Sequence, residues 1–149
     1  MRLSTKGRYG VRAMFELALN YHHGAISLKK IAGRQGISEK YLEHLFASLK
    51  KARLLLSTRG AQGGYQLARP PAEITVGDII RVLEGTVSVS ECSLENPGEE
   101  VCSRMDQCVV QKVWVKVTDR INEVLDGITL EDMCEEFRKA RETGSMYYI

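Results

Sequence analysis

The sequence predicts a mainly α-helical fold that carries one small β-hairpin. Three patterns predict it: apolar residues recur at helical spacing in several segments, a glycine-rich stretch separates two short strand-like runs, and a later segment keeps a seven-residue apolar repeat. The 149 residues are 44% hydrophobic and 27% charged, an ordinary composition for a globular protein. A chain of this length can bury a substantial core, but it is too short for several large domains.

The first half of the chain predicts three helices. The first spans Arg8 to Tyr21 and is amphipathic. Ser27 then caps a short helix from Leu28 to Arg34, and Ser38 caps a third helix soon afterwards. The third helix carries an apolar stripe of Leu42, Leu45, Phe46 and Leu49. Two helices joined by a turn that contains glycine predict a helix-turn-helix.

The stripe leaves a polar face on the third helix, and a hairpin follows this helix directly. The polar face consists of Glu39, Lys40, Glu43, His44 and Ala47. The two strands of the hairpin are Leu54 to Thr58 and Tyr65 to Leu67, and the six residues between them include three glycines. A glycine-rich hairpin after a helix-turn-helix predicts a wing, with Arg59 at its base as a candidate for the minor groove of DNA.

The net charge of +2 hides an asymmetry along the chain. Residues 1–70 hold 13 Lys and Arg against three Glu, a balance of +10, whereas residues 71–149 have a balance of −8. This predicts a basic half that meets a polyanion, although two solvated faces of opposite charge would give the same numbers. Four arginines and lysines near the start would add phosphate contacts: Arg2, Lys6, Arg8 and Arg12.

The second half predicts a short helix, a long loop and two further helices. Thr75 caps the helix from Val76 to Leu83, which should pack on the winged unit. The segment from Gly85 to Gln107 is polar and aperiodic, and loops of this length usually serve a function. Thr129, with Asp132 in the capping-box position, begins a last helix that runs to about Arg141.

A long helix from Cys108 to Asp126 follows this loop and predicts a dimer. Its apolar residues form a heptad seam of Val110, Trp114, Val117, Ile121 and Val124, widened by Val113 and Leu125. A small domain cannot cover a helix of this length by itself, so we favour a dimer interface over a purely internal core. We therefore divide the chain into a DNA-binding domain at residues 1–84, a sensor loop at 85–107 and a dimerisation part at 108–149.

Three of the four cysteines lie close together in the chain. Cys92, Cys102 and Cys108 follow the spacing C-x9-C-x5-C on the loop and at the start of the long helix. A helix N-terminus stabilises thiolates, and thiolates favour iron–sulfur clusters, zinc or copper(I). A structural zinc site usually has closer cysteine pairs, so a larger cluster fits better, although unliganded thiols remain an alternative. We expect Cys134, near Met133 and Phe137, to be a buried structural thiol.

Four stretches of the sequence resemble the signatures of one known family across nearly the whole chain. They are Met1 to Gly10, Gly36 to Ser38 with Tyr41 to Glu43, Arg59-Gly60 with Gly63 to Tyr65, and Val76 to Ile80. The chain resembles the iron–sulfur cluster regulators and their relatives, the nitric-oxide-sensitive and cysteine metabolism repressors. This resemblance implies a homodimeric winged-helix transcription regulator that binds palindromic double-stranded DNA.

The resemblance also implies which residues meet DNA. The second helix of the helix-turn-helix would enter the major groove, with Glu43 as a selectivity element, and Arg59 would enter the minor groove. The candidate DNA-binding residues are Arg2, Ser38, Lys40, Tyr41, Glu43, His44, Arg59 and Gly60. Lys40 and His44 stand where relatives differ, so the operator sequence is not transferred.

In the cluster-binding members, three cysteines hold an iron–sulfur cluster, and they match Cys92, Cys102 and Cys108. The resemblance thus implies a cluster here, [2Fe-2S] in preference to [4Fe-4S]. Two features depart from the family pattern: the first cysteine interval is longer, and Gln111 replaces the histidine that serves as fourth ligand. Gln111, Glu91, Asp106, Cys134 or an exogenous small ligand are left as candidates for the fourth position.

The end of the chain points to a second branch of the family. Residues 78–85, 129–132 and 146–149 look most like the cysteine metabolism repressor, which lacks a cluster and acts with cysteine synthase. A cluster-free repressor of cysteine or sulfur metabolism is therefore an alternative function, and its hypothesised partner is cysteine synthase, bound through the C-terminal tail.

Two further classes are weighed against these regulators. An iron–sulfur electron or cluster carrier would need the cysteines, but it would not need the wing or the basic half. No catalytic triad, phosphate-binding loop or paired acid/base motif is present, so an enzyme is not expected. The sequence has neither a secretion signal nor a membrane-length apolar run, so a cytoplasmic protein without a membrane partner is expected.

Overall fold

The computed structural model describes residues 2–98 and 102–147, with side chains to residue 144. In these residues six helices and one antiparallel hairpin form a mostly helical fold, as predicted. The elements are α1 Thr5–Leu19, α2 Leu28–Gln35, α3 Glu39–Lys51, β1 Leu55–Thr58, β2 Gly64–Leu67, α4 Val76–Glu84, α5 Val109–Gly127 and α6 Leu130–Tyr147. None of the described helices is long and apolar enough to span a bilayer.

The predicted bounds of the first and last helices are wrong at three points. α1 begins at Thr5 instead of Arg8, because a carboxylate from a distant helix completes its first turn. It ends at Leu19 instead of Tyr21, because the chain then winds into a separate 3-10 turn before Gly24, whose φ is +83°. α6 continues to Tyr147, well beyond Arg141.

The core lies where α1 to α4 and α6 meet. The predicted stripe of α3 is confirmed, because Leu42, Leu45, Phe46 and Leu49 are all at most 1% exposed. Ile31, Ile79 and Leu130 bring α2, α4 and α6 into the same core. Each such side chain contributes about 1.5 to 3 kcal/mol by leaving water, so this shared core stabilises the helix-turn-helix.

The hairpin is fixed to the body by a third backbone segment. Leu55 pairs with Leu67 in the register of the two strands, and both side chains are buried. Tyr65 exchanges two backbone hydrogen bonds with Ile26, of 3.0 and 2.8 Å, and its ring lies 4.9 Å from that of Phe46. Gly64, with φ +154°, permits this pairing, because a Cβ there would overlap the carbonyl of Ile26.

The C-terminal helix packs against the first helix of the chain. Leu130 donates a backbone hydrogen bond of 2.9 Å to Ile74, and the rings of Phe15 and Phe137 meet edge to face at 5.7 Å. Cys134 is 2% exposed in this contact, so its prediction as a buried thiol is confirmed. α6 therefore completes the core that α1 begins.

Candidate nucleic-acid interface and cysteine loop

The polar face of α3 is open to solvent along its whole length. Ser38 caps this helix by accepting a hydrogen bond of 3.1 Å from the backbone N–H of Tyr41. The residues of this face are all exposed: Glu39, Lys40, Glu43, His44 and Ala47. The helix thus presents both charge signs and an imidazole on one surface, with its apolar stripe anchored in the core.

Tyr41 joins this helix to the N-terminal turn of α1. Its hydroxyl donates to Thr5 Oγ1 at 3.3 Å, and its ring meets that of Tyr9 edge to face at 6.2 Å. The guanidinium of Arg12 lies 5.5 Å from the centre of the Tyr9 ring. The start of α1, with exposed Arg2 just before it, is therefore placed beside the exposed face of α3.

The wing is held at a fixed position relative to α3. Lys50, in the last turn of α3, donates a hydrogen bond of 2.6 Å to Ser57 of β1. Arg59 and Gly60 lie at the exposed end of the hairpin, where Gly60 has φ +111°. The candidate DNA-binding residues thus occupy three adjoining elements: the start of α1, the open face of α3 and the wing.

The loop before α5 carries the three clustered cysteines. Cys108 is the N-cap residue of α5, and its Sγ accepts from the backbone N–H of Gln111 at 3.4 Å. Cys92 lies half-buried in a 3-10 turn, with its Sγ 3.2 Å from Ser90 Oγ, and Cys102 is exposed. Cys108 therefore lies at the N-terminus of α5, and Cys92 lies in the loop that packs against that helix.

Gln111 connects two of these cysteines. Its side-chain Nε2 donates a 3.0 Å hydrogen bond to the backbone carbonyl of Cys92, and its backbone N–H reaches Cys108 Sγ. The side chain that replaces the expected histidine therefore ties the cysteine loop to the first turn of α5.

A hydroxyl network attaches the same loop to the middle of α5. Ser93 and Thr118 are both buried, and their hydroxyl oxygens lie 2.9 Å apart. The backbone N–H of Val89 donates to Thr118 Oγ1 at 3.2 Å, and Asn122 donates to the carbonyl of Val87 at 3.1 Å. The loop is consequently held to one face of α5 by side chains that the sequence patterns did not single out as functional.

A neighbouring side of α5 is apolar and exposed. Val110, Trp114, Val117 and Val124 of the predicted seam, together with Val113 beside it, are between 39% and 61% exposed, whereas Ile121 of the seam is half-buried. Monomeric proteins rarely leave a contiguous apolar surface of this kind open to water.

The three cysteine thiols of the loop are of a chemical type that binds soft metal ions. Within residues 2–98 and 102–147, no three His, Cys, Asp or Glu side chains converge as a metal site. Three thiols from one loop are nevertheless the ligand type that iron–sulfur clusters use, and one of them lies at a helix N-terminus. The other candidates for the fourth ligand differ: Cys134 is buried in the core, whereas Glu91 and Asp106 are exposed in the loop.

Two charged residues of α4 were missed by the sequence analysis. Arg81 donates to Asp126 Oδ2 at 2.7 Å and to Asn122 Oδ1 at 3.1 Å, and its hydrogen bond to the Asp126 carboxylate raises the pKa of Arg81. Glu84 accepts hydrogen bonds from the start of α1. The sequence did offer one signal for these contacts. Gly7 and Gly77 lie inside helices, and each leaves room for one of these charged side chains.

Comparison with known proteins identifies the family of this chain. A family model described as Rrf2, iron-dependent transcriptional regulator, matches residues 3–136. The chain belongs to the Rrf2 family. It is 45% identical to the HTH-type transcriptional regulator CymR of Bacillus subtilis (strain 168) over 149 residues, which is 100% of both chains.

Two solved Rrf2 structures are similar along most of the chain. T. potens IscR superposes with a TM-score of 0.77 and 53% identity, covering 94% of this chain and 90% of that one. CymR (YrzC), the global cysteine regulator of B. subtilis, superposes with a TM-score of 0.75 and 43% identity, covering 91% of this chain and 98% of that one. This chain is therefore a transcriptional regulator and not an enzyme, from a family whose members bind DNA and are typically dimeric.

Proposed function

We propose that this Rrf2 regulator is a cytoplasmic homodimer that binds a palindromic operator and senses iron–sulfur cluster status, redox state or nitric oxide. The position of Cys108 carries the proposal: it is a thiol that caps the N-terminus of α5, linked through Gln111 to a second cysteine. A ligand change at this point acts directly on the helix that would form the dimer.

The DNA contacts follow from the three adjoining exposed elements. α3 would enter the major groove with Ser38, Lys40, Tyr41, Glu43 and His44, while Arg59 and Gly60 of the wing would meet the minor groove. Arg2 would contact phosphate and so set the register without selecting bases. Glu43 can accept a hydrogen bond from cytosine, which makes it the proposed selectivity element.

Pairing through α5 would supply a second α3 helix, which reads the second half-site of the operator. The exposed apolar side chains of the seam would be covered by the same residues of a second copy, since a two-fold axis makes such a surface self-complementary. Two α3 helices must then lie about one turn of DNA apart, and this matches a palindromic operator.

Cys92, Cys102 and Cys108 would hold the cluster, with Gln111 as the proposed fourth ligand. The cluster, when bound, supplies a centre that reacts with oxidants and nitric oxide. Because Gln111 Nε2 already donates to Cys92, its amide oxygen is the atom available for iron. An amide oxygen is a weak iron ligand, so the fourth position would exchange readily, as a sensor requires.

Anaerobic purification tests the cluster. We expect a coloured dimer with iron and sulfide in equal amounts, and loss of both from Cys92→Ala and Cys108→Ala. Cys134→Ala is the matched control, because it removes a thiol that lies in the core instead of in the loop. A colourless, iron-free dimer from wild-type protein would overturn the sensor function.

DNA binding is tested separately on the same preparation. We expect the wild-type dimer to select one duplex from a random pool and to lose affinity steeply as salt increases. An electron or cluster carrier would show almost no salt slope with DNA, so a flat response would favour that class.

A cluster-free repressor of cysteine metabolism is the second candidate. It is favoured by the 45% identity to CymR along the whole chain and by Gln111 in the place of the histidine ligand. Cysteine synthase is its proposed partner, engaged by a tail whose last residues, 148 and 149, lie outside the described structure. Equal capture of cysteine synthase by the full chain and by a chain that lacks Tyr148 and Ile149 would exclude the tail contact.

A further inference from the structure

Helix α4 touches both the start of α1 and the helix that holds the cysteine loop. Glu84, its last residue, contacts α1, and Arg81, one turn earlier, contacts α5. These two contacts involve charged side chains on an element that lies outside the predicted DNA face and outside the cysteine loop.

Glu84 takes the place of an N-cap side chain for α1. Ser4 occupies the N-cap position of that helix, but its side chain makes no cap hydrogen bond within α1. Instead, Oε1 of Glu84 accepts from the backbone N–H of Ser4 at 2.7 Å, from Ser4 Oγ at 2.5 Å and from the backbone N–H of Gly7 at 3.2 Å. Gly7 is the third residue of α1, so this last bond is the one that an N-cap side chain would accept.

Gly7 makes room for that carboxylate. A Cβ at this position would lie 2.6 Å from Oε1 of Glu84 and 3.1 Å from Cδ1 of Ile80. A side chain at residue 7 would therefore displace the Glu84 carboxylate from the first turn of α1. The turn fixed in this way lies directly after Arg2 and carries Lys6.

Arg81 makes the equivalent contact on the side of α5. Its Nη2 donates to Asp126 at 2.7 Å and to Asn122 at 3.1 Å, and the hydrogen bond to the Asp126 carboxylate raises the pKa of the guanidinium. A Cβ at Gly77 would overlap the Asp126 carboxylate and lie 3.0 Å from Nη1 of Arg81. Here too, a glycine at the contact between two helices leaves space for a charged pair.

Asn122 extends this contact to the cysteine loop. While its Oδ1 accepts from Arg81, its Nδ2 donates to the backbone carbonyl of Val87 at 3.1 Å. Residues 87–93 are then held by Thr118 and Gln111 up to the carbonyl of Cys92. Hydrogen bonds and one helix thus connect Cys92 with the first turn of α1.

We propose that Arg81 and Glu84 are positioning residues that couple the cysteine loop to the DNA-contacting start of α1 through α4. Neither residue needs to touch DNA or a cluster for this role. The inference rests on the proposed DNA-binding function, but it requires no bound cluster, since coupling between two sites is reciprocal and can be measured from the DNA side.

The first experiment measures the affinity of the dimer for the duplex that wild-type protein selects from a random pool. Glu84→Ala should weaken binding about fivefold, the usual effect of losing a helix cap on a local equilibrium. Glu84→Gln should retain most of the affinity, because its amide oxygen can still accept from Ser4 and Gly7. Glu73→Ala is the matched control, as Glu73 is exposed and its side chain has no hydrogen bond or ion pair among the described residues.

The second experiment follows backbone hydrogen exchange in residues 87–93 of cluster-free protein, with and without that duplex. In wild-type protein the duplex should slow exchange there about threefold or more. In Arg81→Met the loop should exchange at the same rate with and without DNA, while the protein still binds the duplex. Arg120→Met is the control, because the Arg120–Glu123 ion pair is an exposed contact within α5.

The outcomes separate this inference from the function on which it rests. If wild-type protein selects no duplex, the proposed function is overturned and the inference with it. If the duplex is bound but Glu84→Ala binds as tightly as Glu73→Ala, or if Arg81→Met keeps the wild-type response of the loop, only the inference is overturned. If Arg81→Met melts far below the wild type, it is replaced by Asn122→Ala, which breaks the same connection at its next residue.

Discussion

Gln111 bonds to two cysteine residues at once: its side chain donates to the backbone carbonyl of Cys92 at 3.0 Å, and its backbone N–H donates to Cys108 Sγ at 3.4 Å. One residue in the first turn of α5 therefore orders the loop without any bound metal. This relationship makes the loop testable in the thiol form of the protein.

Replacing Gln111 by alanine should make Cys92 more reactive. Removal of one hydrogen bond worth about 1 kcal/mol raises the population of the open loop about fivefold, and alkylation of Cys92 should accelerate by a similar factor. Mass spectrometry of the peptide that contains Cys92 measures the rate under reducing, metal-free conditions. Gln107→Ala, at an exposed position in the same region, should leave the rate unchanged.

Replacing Trp114 by glutamate should separate the proposed dimer. Trp114 is 40% exposed in the single chain, so the change costs little folding stability, whereas pairing would bury two unpartnered carboxylates. We expect the dimer dissociation constant to rise by about a hundredfold or more, measured by sedimentation equilibrium. Lys116→Glu changes an exposed residue outside the seam, and a matching loss of dimer from this variant would contradict the assignment of the interface.

Replacing Arg59 by alanine should weaken DNA binding and reduce its salt dependence. Each lost contact with a phosphate or a narrow groove lowers the slope of log affinity against log salt by about one. Titration of the selected duplex at several salt concentrations gives this slope. Lys139→Ala removes the same charge from the exposed surface of α6, and its slope should equal that of the wild type.

Stability should fall at alkaline pH because of Cys134. Burial raises the pKa of this thiol, and the nearby Glu131 adds to the shift. The folded state then keeps a proton that the unfolded state loses above about pH 8.5, so the free energy of unfolding decreases from that pH upward. Denaturant melts from pH 7 to 10 measure the slope. Cys134→Ala should be less stable at neutral pH yet show a shallower decline, and an unchanged decline would contradict the cause.

Local patterns predicted the helix-turn-helix and the wing accurately. The caps at Ser27 and Ser38, the stripe of α3 and the two short strands each depend on residues that lie within one turn or one hairpin. Such neighbours are visible in the sequence, so element type and burial could be assigned from spacing.

Contacts between distant residues were beyond these patterns. Glu84 meets Ser4 across 80 positions of the chain, and it is this contact that starts α1 before the predicted residue. The network of Ser93 with Thr118 likewise joins residues that have no periodic relationship. The cysteines could be grouped from their spacing, but the role of Gln111 as a link between them required the fold of the loop.

The burial of Leu130 and Cys134 beside α1 has a consequence for biosynthesis. Because these side chains fill the same core as Met14 of α1 and Ile79 of α4, the core that supports the helix-turn-helix is complete only after α6 has left the ribosome. A nascent chain that stops after the wing would expose apolar surface where α6 belongs. Folding of the DNA-reading unit is thereby postponed until translation has passed the cysteine loop and the dimer helix, so that reader, loop and helix mature together.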